Sequence, residues 1–278
     1  MKTISRIRWK KLILEIIMIL FTVVYLFPVM NLVFSSLKTT GDLMRHPVGL
    51  PSSVEWGNYV VAWNKLNYPR AFFNTVVVCG GSILLIVFLG SMAAYPIARF
   101  NTRFNQMMYL FFLATIMIPG QAIMIPLVRL FYSVGLVNTH GSLIVYYTAS
   151  SVPFAIFLFT GFIKTIPREL EEAAAIDGCG PFKAYWRVVF PLMKASVTTV
   201  IILNIMSIWN DFMMPMVLLQ NRGVRTLTPS IFDFFEEFAT QWNFAFAASV
   251  LVMLPGILAF LLLQKHFIEG MVAGSVKS

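Results

Sequence analysis

Few residues in the sequence have the types and spacing that covalent chemistry requires. The three histidines, His46, His140 and His266, are isolated from one another, so none forms the paired spacing of a metal site. The chain contains neither the G-x-x-x-x-G-K-[ST] loop that binds phosphates nor the G-x-S-x-G motif of a nucleophilic serine. We therefore predict that the chain is not an enzyme, binds no cofactor of its own, and takes any energy that it uses from a partner.

One polar cluster interrupts an apolar stretch near the C-terminal end. It consists of Trp209, Asn210 and Asp211, with Pro215 shortly after. An aspartate near the middle of a membrane span costs on the order of 2.5–3.5 kcal/mol on insertion scales, so Asp211 is not expected to face lipid. Two interpretations stay open. The cluster lines a polar path across the membrane, or Asp211 caps a helix break near Pro215 or bonds a neighbouring helix.

A second group of polar residues lies in one long loop, residues 164–195. Residues 167–178 are predicted to form a short helix, with a proline in the first turn, three glutamates near its positive end and Gly178 as the stop signal. A second helix begins at Pro181. Its predicted apolar face consists of Phe182, Tyr185, Trp186 and Val189. Amphipathicity alone leaves two interpretations, a solvated linker at the membrane surface or a helix–turn–helix that inserts into a groove on a partner.

The composition indicates which elements must position these residues. The chain is 58% hydrophobic and 12% charged, whereas a soluble domain is roughly 45–50% apolar and about 25% charged. Lipid must therefore solvate much of the chain. The net charge of +9 does not indicate nucleic-acid binding, because the basic residues lie at the ends of apolar runs rather than in one patch. Cys79 and Cys179 lack the spacing of a disulfide or metal site.

Six apolar stretches are long enough to cross a bilayer as helices, which needs roughly 20 residues each. We predict an all-α membrane protein with spans at about 12–36, 72–98, 105–128, 142–163, 196–219 and 244–264. The first span is not expected to be a cleaved signal peptide, because its apolar core exceeds the usual length of roughly 7–15 residues and no A-x-A-like site follows.

The positions of the basic residues predict the orientation. Most of the 21 Lys and Arg residues fall in the segments that are cytoplasmic when both termini lie inside. This orientation also places the 164–195 loop in the cytoplasm. Gly90, Ala94 and Ala98 follow one another at intervals of four in the second span, the spacing that lets two helices approach closely. We therefore expect a packed bundle rather than a simple anchor.

The 164–195 loop also carries a spacing of residues that resembles one family. A glycine follows six positions after the first glutamate of a Glu-Ala-Ala run, and a proline follows thirteen positions after that glycine. This pattern resembles the EAA signature in the membrane subunits of ABC importers, although Cys179 stands where the family has a small residue such as alanine. In that family the loop is the coupling helix, which docks in a cleft of the ATPase subunit. The resemblance assigns this role to Glu172, Ala173, Ala174, Asp177, Gly178 and Pro191.

The resemblance covers most of the chain and narrows to the MalG-like permeases, the subgroup that imports carbohydrates. The segments that carry it are Met117-Ile118-Pro119, Trp209-Asn210-Asp211-Phe212 with Pro215, and residues 264–277. Residues 1–70 match only in layout. Leu227-Thr228-Pro229 and Trp242 resemble a loop that faces the extracytoplasmic binding protein in relatives. Asp233, Phe234, Phe235, Glu236 and Glu237 would give that loop an acidic and aromatic surface, and a helix at the lipid interface would explain the same residues.

The resemblance implies a type I ABC importer permease fold, also called MetI-like. It places the N-terminal tail, first transmembrane helix and external loop in residues 1–70, a five-helix transmembrane domain in 71–266, and a cytoplasmic tail in 267–278. The implied partners are a second permease subunit, two ATP-binding subunits that hold the ATP, an extracytoplasmic solute-binding protein and a carbohydrate. The implied location is a bacterial inner membrane, with both termini in the cytoplasm.

Other functions remain as alternatives at this stage. An ABC permease for a polyamine or glycerol phosphate would share the loop and the spans. A secondary transporter should carry ion-coupling carboxylates in several spans, but apart from Asp211 only Glu15, near one end of a span, is available. A membrane-bound enzyme should carry a catalytic cluster, and the sequence shows none.

Overall fold

The structure is a computed structural model that describes the backbone of residues 2–237 and 241–275 and the side chains of residues 9, 11–234 and 241–265. Every regular element in these described residues is a helix. The elements are α1 (Lys2–Ser36), α2 (Thr40–Arg45), α3 (Gly57–Lys65), α4 (Tyr68–Arg99), α5 (Arg103–Ile116), α6 (Gly120–Ser133), α7 (His140–Ile163), α8 (Glu169–Ile176), α9 (Pro181–Ala184), a π-helical turn (Tyr185–Val189), α10 (Phe190–Leu192), α11 (Lys194–Asn210), α12 (Met213–Leu218), α13 (Leu227–Ser230), α14 (Phe232–Glu237) and α15 (Trp242–Ser275).

Six membrane spans can be built from these helices. The long helices α1, α4, α7 and α15 each contain a stretch that is long and apolar enough to cross a membrane. Two bent pairs add one span each, namely α5 with α6, bent by 99°, and Pro181–Leu192 with α11, bent by 71°. The predicted all-α class is confirmed, and the predicted six spans are reached when each bent pair counts as one broken span.

The third predicted span, residues 105–128, is wrong as a single helix. α5 ends at Ile116 and α6 begins at Gly120. Pro119 explains the break, because it has no N–H to donate to a preceding turn and disfavours helical conformation in the residue before it.

The fifth predicted span, residues 196–219, also differs in the structure. α11 ends at Asn210, and Asp211 adopts an extended conformation (φ −69°, ψ 128°) before α12. Pro215 accounts for this break, because its ring would crowd the carbonyl of Asp211 four residues earlier in a continuous helix. The bent pair with the properties of a span runs instead from Pro181 to Asn210, so it begins inside the loop predicted at 164–195.

The first of two compact units comprises residues 1–68 and 231–254. Lys38 is fully buried in this unit. The side-chain amide of Asn58 donates to the carbonyl of Lys38 (2.9 Å), and its oxygen accepts a hydrogen bond from the amide of Asn243 (2.9 Å). These bonds satisfy buried polar groups and join the segment after α1 to the start of α15.

The second unit comprises residues 69–230 and 255–278 and contains the 164–195 loop. In this unit α4 packs directly against α7. A Cβ atom added to Gly90 would lie 2.9 Å from the Cβ of Ala155, closer than side chains can approach. Ala94, one turn further along α4, is fully buried. The predicted close approach of helices is confirmed at Gly90, whereas for Ala94 the structure shows burial and Ala98 is partly exposed.

Candidate functional site

The first helix of the 164–195 loop, α8, ends in a glycine turn. Gly178 has a φ of +78°, a conformation that glycine adopts without strain. The backbone N–H of Gly178 donates to the carbonyl of Ala175 (3.0 Å), and that of Cys179 donates to the carbonyl of Ala174 (2.9 Å). This pair of bonds is the Schellman motif, which satisfies the carbonyls left over at a helix end. The predicted stop at Gly178 is confirmed.

The loop turns outward most of the residues to which the resemblance assigns coupling. The exposed ones are Glu172, Ala173, Asp177, Gly178 and Pro191. Ala174 differs, because it is 8% exposed and packs within the chain. Ile176, at the tip of α8, is 87% exposed. An exposed aliphatic side chain beside small and acidic residues is the type of surface that another protein covers on binding. The coupling role of these residues stays a prediction.

The second half of the loop shows one correction to the predicted apolar face. Tyr185 and Val189 are buried as expected, but Phe182 is 65% exposed. Phe182 lies in the four-residue α9, before the π-helical turn in which the N–H of Phe190 donates to the carbonyl of Tyr185 five residues earlier. This wider turn changes the period of 3.6 residues on which the prediction was based. Pro191, which cannot donate to the preceding turn, lies two residues after Val189, the last residue of the π-helical turn.

Glu171, on α8, is held by two side chains of α4. Its Oε1 pairs with the Nη2 of Arg99, and its Oε2 accepts a hydrogen bond from the hydroxyl of Tyr95 (2.7 Å). The side chains of Arg99 and Glu171 are only 7% and 15% exposed. Buried charges are tolerated where they are paired and hydrogen-bonded, so this contact fixes the position of α8 against the end of α4.

Three further hydrogen bonds join the loop to α4. Arg99 donates to the carbonyl of Ile166 (3.1 Å), and Arg168 donates to the carbonyl of Arg99 (2.9 Å). Arg99 is the last residue of α4, so its carbonyl has no partner within the helix, and the cation of Arg168 satisfies it favourably. About two turns closer to the middle of α4, the hydroxyls of Ser91 and Tyr185 are 2.7 Å apart. Both halves of the loop are therefore bonded to one helix.

Asp211 lies at the break between α11 and α12, and its two carboxylate oxygens have different partners. Oδ1 accepts a hydrogen bond from the backbone N–H of Met213 (3.0 Å), which caps the start of α12. Oδ2 accepts a hydrogen bond from the hydroxyl of Tyr147 on α7 (2.8 Å). The interpretation in which Asp211 caps a break and bonds a neighbouring helix is confirmed. A role in lining a path is compatible with these bonds and stays a prediction.

The other two residues of this predicted path have different surroundings. Trp209 is 8% exposed and packs against the ring of Phe72, with 6.0 Å between ring centroids. A Cβ atom added to Gly256 would lie 3.2 Å from the Trp209 ring, so the indole fills the space beside that glycine. Asn210 is exposed, and its amide donates to the carbonyl of Met206 (2.8 Å). Of these two side chains, Asn210 is therefore the one available to a solute.

The acidic and aromatic surface predicted after α13 is wrong in one residue. Phe234 is fully buried, because it is part of the core of the first unit, whereas Asp233 is partly exposed. The side chains of Phe235, Glu236 and Glu237 lie outside the described residues. Among the side chains that are described, no three His, Cys, Asp or Glu groups converge as metal ligands would.

The polar face of α4 formed by Ser91, Tyr95 and Arg99 is not among the features predicted from the sequence. The sequence does contain a pattern that indicates this face. The three residues are spaced four apart, and each directly follows one of the small residues Gly90, Ala94 and Ala98. No local signal points to Glu171 or Tyr147, because their partners are distant. Tyr95 and Glu171 are 76 positions apart in the sequence.

Comparison with known proteins agrees with this geometry. A family model described as "Binding-protein-dependent transport system inner membrane component" matches residues 86–272, more than half of the chain. The matched range includes the whole 164–195 loop, Asp211 and all three residues of the polar face of α4.

Two relatives match almost the whole chain. It is 39% identical over 251 residues to the melibiose/raffinose/stachyose import permease protein MelC of Bacillus subtilis (strain 168), which covers 90% of this chain and 91% of MelC. It is 34% identical over 272 residues to the probable starch degradation products transport system permease protein AmyC of Thermoanaerobacterium thermosulfurigenes, which covers 98% and 99% of the two chains.

A solved structure has the same fold. The crystal structure of a bacterial ABC transporter involved in the import of the acidic polysaccharide alginate contains a chain that superposes with a TM-score of 0.81. The match covers 94% of this chain and 97% of that chain, at 21% sequence identity. This likeness shows that the helices described above form an ABC importer permease fold.

Proposed function

The chain belongs to the family of binding-protein-dependent transport system inner membrane components, and on this premise we propose that it is one membrane-spanning subunit of an ATP-driven importer of oligosaccharides. The observation that carries the proposal is α8. This helix is fixed at its base by buried bonds to α4 and presents an exposed tip ending at Gly178. Such an element can receive movement from another protein and pass it to the membrane helices.

The cargo proposal rests on what the relatives import. MelC is named for melibiose, raffinose and stachyose, and AmyC for starch degradation products. Both are permeases for short sugar chains, and they match over nine tenths or more of this chain. This agreement favours a carbohydrate over a polyamine or glycerol phosphate. The proposed lining residues are Trp209, Asn210 and Asp211, among which Asn210 has the exposed amide.

The coupling proposal rests on the exposed face of the 164–195 loop. Ile176 and the exposed residues around it form a small surface that fits a cleft on an ATP-binding subunit. The orientation supported by the basic residues puts this surface in the cytoplasm, with both termini, in a bacterial inner membrane. A second permease subunit, two ATP-binding subunits and a solute-binding protein complete the proposed assembly.

In the proposed mechanism, ATP binding closes the ATPase dimer and draws the coupling helices together. The bundle then changes from an inward-open to an outward-open state, and the binding protein releases its sugar into the opened cavity. This is a two-state switch in which ligands at opposite faces bias the same equilibrium. The chain itself performs no chemistry on the sugar.

Uptake measurements in cells test the cargo. A strain that lacks this chain should lose ATP-dependent uptake of a labelled oligosaccharide from a panel of α-galactosides and starch fragments, and the wild-type gene should restore it. Uptake of a labelled polyamine and of glycerol phosphate should be unchanged. Loss of polyamine or glycerol phosphate uptake, with oligosaccharide uptake intact, would contradict the proposal.

A further inference from the structure

We propose that Ser91, Tyr95 and Arg99 form a polar latch through which the 164–195 loop moves α4, with Arg99 and Glu171 as the positioning residues. The proposal rests on the proposed function, because it takes the loop to be the part that the ATP-binding subunits move. In this proposal, α4 is the first membrane helix to move when the ATP-binding subunits move the loop.

The latch follows from the spacing of its residues along one helix. Residues four apart in an α-helix lie above one another on the same face, so Ser91, Tyr95 and Arg99 form a row about two turns long. Each has a bond to the loop. Ser91 bonds Tyr185, Tyr95 bonds Glu171, and Arg99 bonds both Glu171 and the carbonyl of Ile166.

These bonds engage the loop at separate points. Ile166 lies before α8, Glu171 lies within it, and Tyr185 begins the π-helical turn after it. An isolated helix shorter than about 12–15 residues is marginal in water, so α8, with eight residues, depends on such contacts for its position. A loop held at three points on one helix cannot tilt or slide independently of that helix.

The contact between Arg99 and Glu171 makes the latch stiff. Both side chains are largely buried, and the two oxygens of Glu171 have different partners, since Oε2 accepts the hydroxyl of Tyr95 and Oε1 has only the ion pair with Arg99. Separating the pair would leave unpaired charges inside the protein, which is unfavourable. Arg168 adds a bond in the opposite direction, from the loop to the terminal carbonyl of α4. The low-energy response to a pull on the loop is therefore movement of the loop and the end of α4 together.

The neighbouring face of α4 shows where that movement goes next. Gly90 and Ala94 each precede a latch residue by one position; Gly90 lies in close contact with Ala155 of α7, and Ala94 is fully buried. Close-packed helices transmit displacement because their interiors have few voids. The latch thus delivers the movement of the loop to the packed pair α4 and α7, and α7 carries the tyrosine that bonds Asp211.

A first experiment measures coupling in the reconstituted complex with its partner permease, ATP-binding subunits and binding protein. Arg99→Gln and Glu171→Gln should each lower the ratio of solute-stimulated to basal ATP hydrolysis about fivefold or more, the lower end of a typical coupling energy. The double variant should be no worse than the more severe single variant, because the two side chains act as one pair. Arg103→Gln removes the same charge from an exposed position nearby and should leave the ratio unchanged.

A second experiment measures the latch without using activity. Spin labels are placed at Phe100 and Lys183, which are exposed at the end of α4 and in the loop, after both cysteines are replaced by alanine. The distance distribution between the labels should be the same in the nucleotide-free and ATP-trapped complexes. Glu171→Gln should broaden it. Tyr95→Phe, which removes only a hydroxyl, should broaden the distance distribution less. If the charge variants assemble poorly, the measurement can still be made on Tyr95→Phe.

The outcomes separate the latch from the function on which it rests. If the wild-type complex is stimulated by its solute and the Arg99→Gln and Glu171→Gln complexes are stimulated equally, the latch is wrong and the proposed function stands. A label distance that changes on ATP binding in the otherwise wild-type complex would also overturn the latch. A wild-type complex without any stimulation overturns the proposed function and the latch with it.

Discussion

Two partly buried carboxylates in this protein accept similar hydrogen bonds and lie in different regions. Glu171, in the 164–195 loop, and Asp211, at the break after α11, each accept a hydrogen bond from a tyrosine on another helix, at 2.7 Å and 2.8 Å. Their remaining oxygens differ. That of Glu171 pairs with the cation of Arg99, whereas that of Asp211 accepts a backbone N–H.

The difference shows what each region has to do. An ion pair leaves two unsatisfied charges when it is broken, so it suits a contact that must hold while the loop moves. A carboxylate that caps a helix needs only an acceptor oxygen, which an amide also provides. Neutralising the two carboxylates should therefore affect the two regions unequally.

The largest effect is expected at Gly178, in the loop. Gly178→Leu should abolish solute-stimulated ATP hydrolysis while the protein still inserts into the membrane. The side chain would have to adopt a φ of +78°, which costs on the order of 1–2 kcal/mol and would distort the exposed tip. ATP hydrolysis by the reconstituted complex measures the effect.

Gly180 provides the matched control for this change. It has a φ of −67°, and no atom lies within 4 Å of an added Cβ. Gly180→Ala should therefore retain stimulation close to the wild-type value. Normal coupling in Gly178→Leu would contradict the docking role of the loop.

Glu171→Gln should be the most destabilising of the neutral substitutions. It leaves the largely buried Arg99 without its counter-charge, and breaking a buried ion pair costs about 3–5 kcal/mol. Unfolding of the purified protein by titration with SDS measures this loss. A cost equal to that of Asp211→Asn, measured side by side, would remove the distinction between the two carboxylates.

The packing of α4 on α7 gives the next effect. Gly90→Ala places a methyl group 2.9 Å from Ala155 and should lower stability by about 1–3 kcal/mol, as overpacking commonly does. Gly80, on the same helix, has no atom within 4 Å of an added Cβ, so Gly80→Ala should be neutral or slightly stabilising. The same SDS titration compares both, and equal effects would argue against a tight contact at Gly90.

The smallest effect on folding is expected at the helix break. Asp211→Asn keeps an oxygen that can accept the N–H of Met213, so assembly should be retained and solute transport should change more than stability. Asp211→Ala removes the cap and should cost about 0.5–2 kcal/mol. Dividing the rate of solute uptake by the amount of assembled complex separates a role in transport from a role in assembly. Failure of Asp211→Asn to assemble would mean that the negative charge itself is structural.

Local features of this fold were predictable from the sequence, and distant pairings were not. Gly178 was identifiable because a helix stop depends on a few adjacent residues. The spans follow from their apolar length, but apolarity alone does not show where a proline interrupts a helix. The span at 105–128 was therefore predicted without its break, and the break at Asp211 was one of two open interpretations. The bond from Tyr147 to Asp211 joins residues 64 positions apart, and only the packing of whole helices brings them together.

The central claim is that this chain is the membrane part of a pathway whose ATPase is another protein. The most direct test measures ATP hydrolysis in proteoliposomes that contain the purified chain alone or the full complex with a sugar-loaded binding protein. The chain alone should hydrolyse no ATP, and the full complex should hydrolyse ATP at a rate that the loaded binding protein increases. Robust hydrolysis by the chain alone, unchanged by Gly178→Leu, would contradict the account.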